Sequence, residues 1–135
     1  MIEQLELLYM RAWREHDLEG ALADLPQDFE WVVPGFPGTQ AARGPEGTLA
    51  FFRDWIDQWE DLRVDWEFEQ GGPDAILALV DMRGRGRASG VPVELHFAQV
   101  WSFRDGVPVR MVFYTDAEDG RRAAGIASPP APPEP

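Results

Sequence analysis

Between residues 62 and 115 the chain is written in period two, and the breaks in that pattern are turns. Leu62, Val64, Trp66 and Phe68 alternate with Arg63, Asp65, Glu67 and Glu69, as a strand with one buried and one wet face requires. Gly71-Gly72-Pro73-Asp74 supplies the first turn, Ser89-Gly90 the second and Asp105-Gly106 the third, a strong hairpin signal. The segments between them, 75–87, 93–103 and 107–115, complete a meander of four strands. Such a sheet has an apolar face that another layer must cover.

The preceding residues provide that layer. Ile2, Leu5, Leu8, Tyr9, Ala12, Trp13 and His16 recur at three- and four-residue steps, which predicts a helix over 2–16. Asp17 is placed to cap a second helix over 18–25, which Pro26 ends. A β-rich run over 29–33 closes at Pro34-Gly35, and Phe36, Gly38 and Gly44 mark a loop. Pro45 suits the first turn of a third helix, Glu46 complements its dipole, and Leu49, Phe52, Trp55, Ile56 and Trp59 share its apolar face. Asp116 is placed to cap a last helix reaching Gly125. The expected fold class is α+β, with N-terminal helices packed in a curved, mostly antiparallel sheet. One domain is expected over 1–126, followed by a proline-rich disordered tail over 127–135.

Composition narrows the function. The net charge is −12, and residues 1–69 hold 16 acids against 5 arginines, so phosphate backbones are repelled and nucleic acid is not an expected partner. Every basic residue other than histidine is arginine, which excludes Schiff-base chemistry and a phosphate loop built on lysine. Cysteine is absent, and with it disulfides and thiolate sites. His16 and His96 are the only histidines and have no metal-ligand spacing, so neither metal nor cofactor is expected. No apolar run reaches the ~18 residues of a membrane span. Met1-Ile2-Glu3-Gln4 lacks the features of a secretory leader, and the expected compartment is the cytoplasm.

The stretch 97–106, Phe-Ala-Gln-Val-Trp-Ser-Phe-Arg-Asp-Gly, is followed by Val109-Arg110 and then Tyr114-Thr115-Asp116. With Asp17-Leu18-Glu19-Gly20-Ala21 after the first helix and Gly44-Pro45-Glu46-Gly47 opening the third, this ordered set resembles the SnoaL-like group of the NTF2-like superfamily. The resemblance covers roughly residues 1–126. It implies a cone in which the curved sheet wraps the helices around a pocket. It implies no single activity, because such folds host isomerases, cyclases, hydrolases and binding domains.

Alternation puts Leu95, Phe97, Gln99, Trp101 and Phe103 on one face of their strand, and Glu94, His96, Ala98, Val100 and Ser102 on the other. The first set is bulkier and more apolar and is assigned to the pocket. The expected ligand-binding residues are Tyr9, Trp13, Trp31, Trp55, Phe97, Gln99 and Trp101, and the expected ligand is a small apolar molecule. The tryptophans form either core or an aromatic cage. Gln99, polar among apolar neighbours, either bonds a neighbouring side chain or serves a ligand, since a buried unpaired amide costs ~1–3 kcal/mol.

The weak catalytic candidates are Tyr9, Gln99, Asp116, Asp81 and Arg83. By resemblance to ketosteroid isomerases, Tyr9 stands where an oxyanion-hole tyrosine would, eight residues before Asp17. The general base of those enzymes falls at Val33 and the second oxyanion donor at Gln99, so a base would have to come from Asp28 or Glu30. Resemblance to polyketide cyclases makes Asp116 either an acid/base or a helix cap. Asp81 and Arg83 form either a solvated or dimer-facing charge ladder or part of an acid–arginine–acid cluster like that of limonene-epoxide hydrolases, with Glu94 as the second acid. His96 is expected at a surface or interface. Three readings stay open: an acid–base enzyme, a non-catalytic binding or accessory protein, and a homodimeric interaction module.

Overall fold

The first apolar stripe folds as α1 (Ile2–Tyr9) and then widens into a π-helical turn over Met10–Arg14. Glu15 N donates to Met10 O at 3.0 Å and Asp17 N to Arg11 O at 2.9 Å, while His16 takes a left-handed conformation at φ +55°. That reversal ends the helix before residue 16. This computed structural model describes residues 1–33 and 42–126, so the Pro34–Gly38 loop marks and the 127–135 tail lie outside the described residues.

Asp17 caps α2 (Leu18–Leu22), its Oδ1 accepting from Gly20 N at 3.0 Å. β1 (Glu30–Val32) and β2 (Ala42–Arg43) precede α3 (Gly44–Ile56), which has proline in its first turn. The third helix stops short of Trp59. Asp57 N and Gln58 N bond Arg53 O and Trp55 O, and Trp59 instead opens β3 (Trp59–Gln70). Its ring still packs against Trp55, with centroids 5.6 Å apart, which is why it carried the helix's apolar pattern.

β4 (Ala75–Gly86), β5 (Pro92–Arg104) and β6 (Val107–Tyr114) complete a six-stranded sheet in the order β2-β1-β6-β5-β4-β3. The meander is antiparallel throughout, and Asp105 (φ +52°) and Gly106 (φ +76°) form its tight final hairpin. One pairing is parallel: β1 lies along β6, with Trp31 opposite Met111. A register shift between Glu60 and Arg63 in β3 and another between Ser102 and Phe103 in β5 mark local breaks in the ladder, of the kind that bend strands. The result is the α+β NTF2-like cone.

The inner face packs on the helices through Leu5, Tyr9, Leu22, Phe29, Ile76, Ala78, Trp101 and Met111, all buried. The outer face is covered over only part of its area. Asp116 Oδ1 accepts from Glu118 N at 2.8 Å and so caps α4 (Ala117–Ala123), whose contacts bury Leu77, Ala98 and Val100. Gly120 makes that approach possible, because a Cβ there would lie 2.8 Å from Ala98 Cβ and 3.1 Å from Leu77 Cδ1. No helix among the described residues is long and apolar enough to cross a membrane.

Candidate functional site

Burial changes steadily along β5. Leu95 is 38% exposed at one end, whereas Trp101 and Phe103 are 3% and 5% exposed at the other. A cavity of about 440 Å³ opens at the Leu95 end, within the usual size range of small-molecule sites. Its walls are Trp13 and Tyr9 from the first helix, Trp31 and Val33 from β1, Phe51, Phe52 and Trp55 from α3, and sheet residues that include Val80, Met82, Phe97, Gln99 and Phe113. Edge-on ring contacts build the wall: Trp31–Phe52 at 4.3 Å and Trp13–Phe52 at 6.2 Å.

Behind this wall runs a short hydrogen-bonded relay. Trp101 Nε1 donates to the Tyr9 hydroxyl oxygen at 2.8 Å, and Tyr9 donates in turn to Gln99 Oε1. The order follows from donor supply. The indole has only an N–H, so it occupies the phenol oxygen, and the phenol proton must go to the amide carbonyl. Gln99 Nε2 is then left without a partner among the described residues, on a side chain that lines the cavity. Burial raises the Tyr9 phenol above its ordinary range, with the Trp101 N–H opposing, so Tyr9 remains a neutral donor.

Six of the seven expected lining residues, Tyr9, Trp13, Trp31, Trp55, Phe97 and Gln99, border the cavity. Trp101 does not. Its ring lies against Phe29 (5.7 Å) and Tyr9 (6.1 Å) in the core, so it supports the wall from behind. Phe103 is likewise core. Period two assigns the face correctly, but the cone narrows along the strand, and only the wide end leaves room.

Of the ionisable candidates, Asp81, Arg83 and Asp116 stand elsewhere, whereas Tyr9 and His96 are among the residues that line the cavity. Register places Asp81 opposite His96 and Arg83 opposite Glu94, and their side chains meet on the outer face. His96 Nδ1 contacts Asp81, His96 Nε2 is 3.3 Å from Glu94, and Glu94 is 3.6 Å from Arg83, all with more than half of each side chain exposed. The hydrogen bond to Asp81 is the main cause that raises the His96 pKa; desolvation opposes it, and the charges of Asp81 and Glu94 add to it. Asp81, Arg83 and Glu94 thus form a charge ladder on the outer face and not a water-activating cluster in the pocket. Asp116 is occupied as a helix cap. Glu30 reaches Arg110 at 3.7 Å, Asp28 is exposed, and the side chain at the steroid-isomerase base position, Val33, is an apolar part of the wall. No carboxylate borders the cavity among the described residues, and no group of three or more potential ligands there could hold a metal ion.

Several wall residues are absent from the sequence expectation. Val80, Met82 and Phe113 lie on the inner face by the same alternation that placed Phe97, and the cross-strand pairs Val80–Phe97 and Gln99–Phe113 bring them there. Phe51 is adjacent to Phe52 on α3, and Thr115 follows from Phe113 two residues on.

The profile of the SnoaL-like domain family matches residues 7–111. The chain belongs to the SnoaL-like domain family. Solved structures show the same architecture. An NTF2-like protein of unknown function from Burkholderia pseudomallei is 26% identical, with 90% of this chain and 94% of that chain covered and a TM-score of 0.70. A candidate SnoaL-like polyketide cyclase from Jannaschia sp. is 20% identical, with 96% and 92% covered and a TM-score of 0.73. TerC, co-crystallised with polyporic acid, is 24% identical, with 91% and 96% covered and a TM-score of 0.69. No curated protein matches the chain in sequence. Within this SnoaL-like domain the shared architecture is accompanied by a cavity that no carboxylate borders among the described residues.

Proposed function

We propose that this SnoaL-like domain binds a small, flat, largely apolar molecule that carries a hydrogen-bond acceptor such as a ketone or quinone oxygen. We propose further that it does so without a carboxylate base of its own. The observation that carries this reading is Gln99: its carbonyl is committed to Tyr9, and its amide nitrogen is unpaired beside an aromatic cavity. A ligand oxygen would satisfy that amide, replacing the water that otherwise reaches it from the cavity. At the level of the fold, TerC is a precedent for a small organic partner.

The acid–base enzyme is the weaker reading, because each candidate base is turned away or otherwise engaged. The segment 34–41, Pro-Gly-Phe-Pro-Gly-Thr-Gln-Ala, contains no acid and no histidine that would supply one. A donor held in a dry pocket polarises a carbonyl, but proton abstraction needs a second group within hydrogen-bond reach.

The test is a matched pair of probes, 2-acetylnaphthalene and 2-isopropylnaphthalene, titrated against tryptophan fluorescence. The ketone should bind about tenfold more tightly, the worth of one good hydrogen bond. In Gln99→Leu that preference should disappear while the hydrocarbon binds as before. Equal affinity of the two probes for the unmodified protein, or binding of neither, overturns the proposal.

A further inference from the structure

A second, much smaller chamber of about 20 Å³ lies beside the main cavity and shares Tyr9, Trp13, Trp31, Phe52 and Gln99 with it. Its remaining lining is apolar apart from Thr48 and Trp101. Two buried polar atoms on its lining residues have no hydrogen-bond partner among the described residues: Thr48 Oγ1 and Trp31 Nε1, on side chains that are 1% and 4% exposed. A threonine hydroxyl within a helix ordinarily bonds the carbonyl one turn back. Thr48 makes no such bond.

We infer that this chamber is a specific site for one ordered water molecule. The volume is right for one, since a cavity needs roughly 10–15 Å³ of probe-centre space to hold a water. The chemistry is right as well. Trp31 has only a proton to give, and the Thr48 hydroxyl both gives and accepts. Gln99 Nε2 has a proton to spare even when its other one meets a ligand. A water accepts from the indole and the amide and donates to the threonine, joining groups on β1, β5 and α3. The site shares Trp31 and Gln99 with the main cavity, and it is filled in the ligand-free protein.

The test is a crystal structure of the ligand-free protein at a resolution that orders waters, joined to solution measurements on Thr48→Val and Thr48→Ser. Density for one water within hydrogen-bond distance of Thr48 Oγ1 and Trp31 Nε1 is expected. So is a nuclear Overhauser contact between water and the Trp31 indole proton that Thr48→Ser keeps and Thr48→Val loses. Thr48→Val should lower Tm by about 3 °C, because a hydrogen-bonded water loses its anchor. A dry chamber, a Thr48 hydroxyl bonded to its own helix, or a raised Tm in Thr48→Val overturns the inference. The last result is the one expected when an isosteric apolar group replaces a hydroxyl that never had a partner.

Discussion

The Tyr9 hydroxyl gives its proton to Gln99 Oε1, joining the first helix to the fifth strand across 90 residues of sequence. The bond serves packing and site together, because it fixes which end of the amide faces the cavity. Tyr9→Phe would strand two buried groups at once, the Gln99 carbonyl and the Trp101 N–H. A loss of about 2–4 kcal/mol is expected in urea unfolding with an unchanged m-value. Adding Gln99→Leu in that background removes one stranded group, so the double variant should be more stable than the sum of the single effects. Strict additivity would contradict the relay.

The outer-face ladder makes stability depend on pH. His96 has its pKa raised in the folded state, first by the bond to Asp81. The folded state therefore holds the proton more tightly than the unfolded one. The resulting stability is fully present below the ordinary histidine pKa and is lost as pH rises through the higher folded value. The unfolding midpoint should fall more between pH 5.5 and pH 8.5 in the unmodified protein than in His96→Gln.

Gly120→Ala sets helix propensity against packing. Alanine favours a helix interior by about 1 kcal/mol over glycine. The added methyl would meet Ala98 Cβ at 2.8 Å, and both partners lie in the backbone-proximal layer, where little can yield. A net loss of about 1–3 kcal/mol is expected, measured by thermal unfolding, and Ala98→Gly should restore part of it. A stabilised Gly120→Ala would show that α4 does not rest on the sheet at this distance.

His16 tests the end of the first helix. A non-glycine residue at φ +55° carries about 1 kcal/mol of steric cost, partly offset by the greater chain entropy that glycine loses on folding. His16→Gly should raise stability by about 0.5 kcal/mol in denaturant titrations. A loss of more than 1 kcal/mol would mean that the imidazole makes a contact of its own.

Local signals in the sequence carried much of this fold. The Asp17 and Asp116 caps, the proline opening α3 and the Asp105-Gly106 hairpin are each specified within a few residues, and each is where it was expected. The misplaced boundaries have non-local causes. Trp59 matches the α3 stripe because it packs on Trp55, yet it belongs to a strand. The parallel pairing of β1 with β6 leaves no trace in either segment, since strand direction is set by the whole topology. The cavity wall was legible as a face but not as a depth: Phe97, Trp101 and Phe103 share one alternation, and only the taper of the cone separates wall from core. Gln99 stood out by polarity alone, whereas its link to Tyr9 required the helix to be laid against the sheet.

The pairing of β1 with β6 also orders events during synthesis. Trp31, a wall of the cavity, sits on a three-residue strand whose other neighbour among the described residues is the two-residue β2. Until residues 107–114 leave the ribosome, that strand has no long partner, although all the helices that will cover the site except the last are already made. Closing this contact late spans nearly the whole chain, the kind of distant pairing that slows folding and leaves apolar surface uncovered meanwhile. The cavity is therefore among the last features of the molecule to come into being, and a nascent chain halted before β6 has every aromatic side chain of the pocket but Phe113, without the pocket.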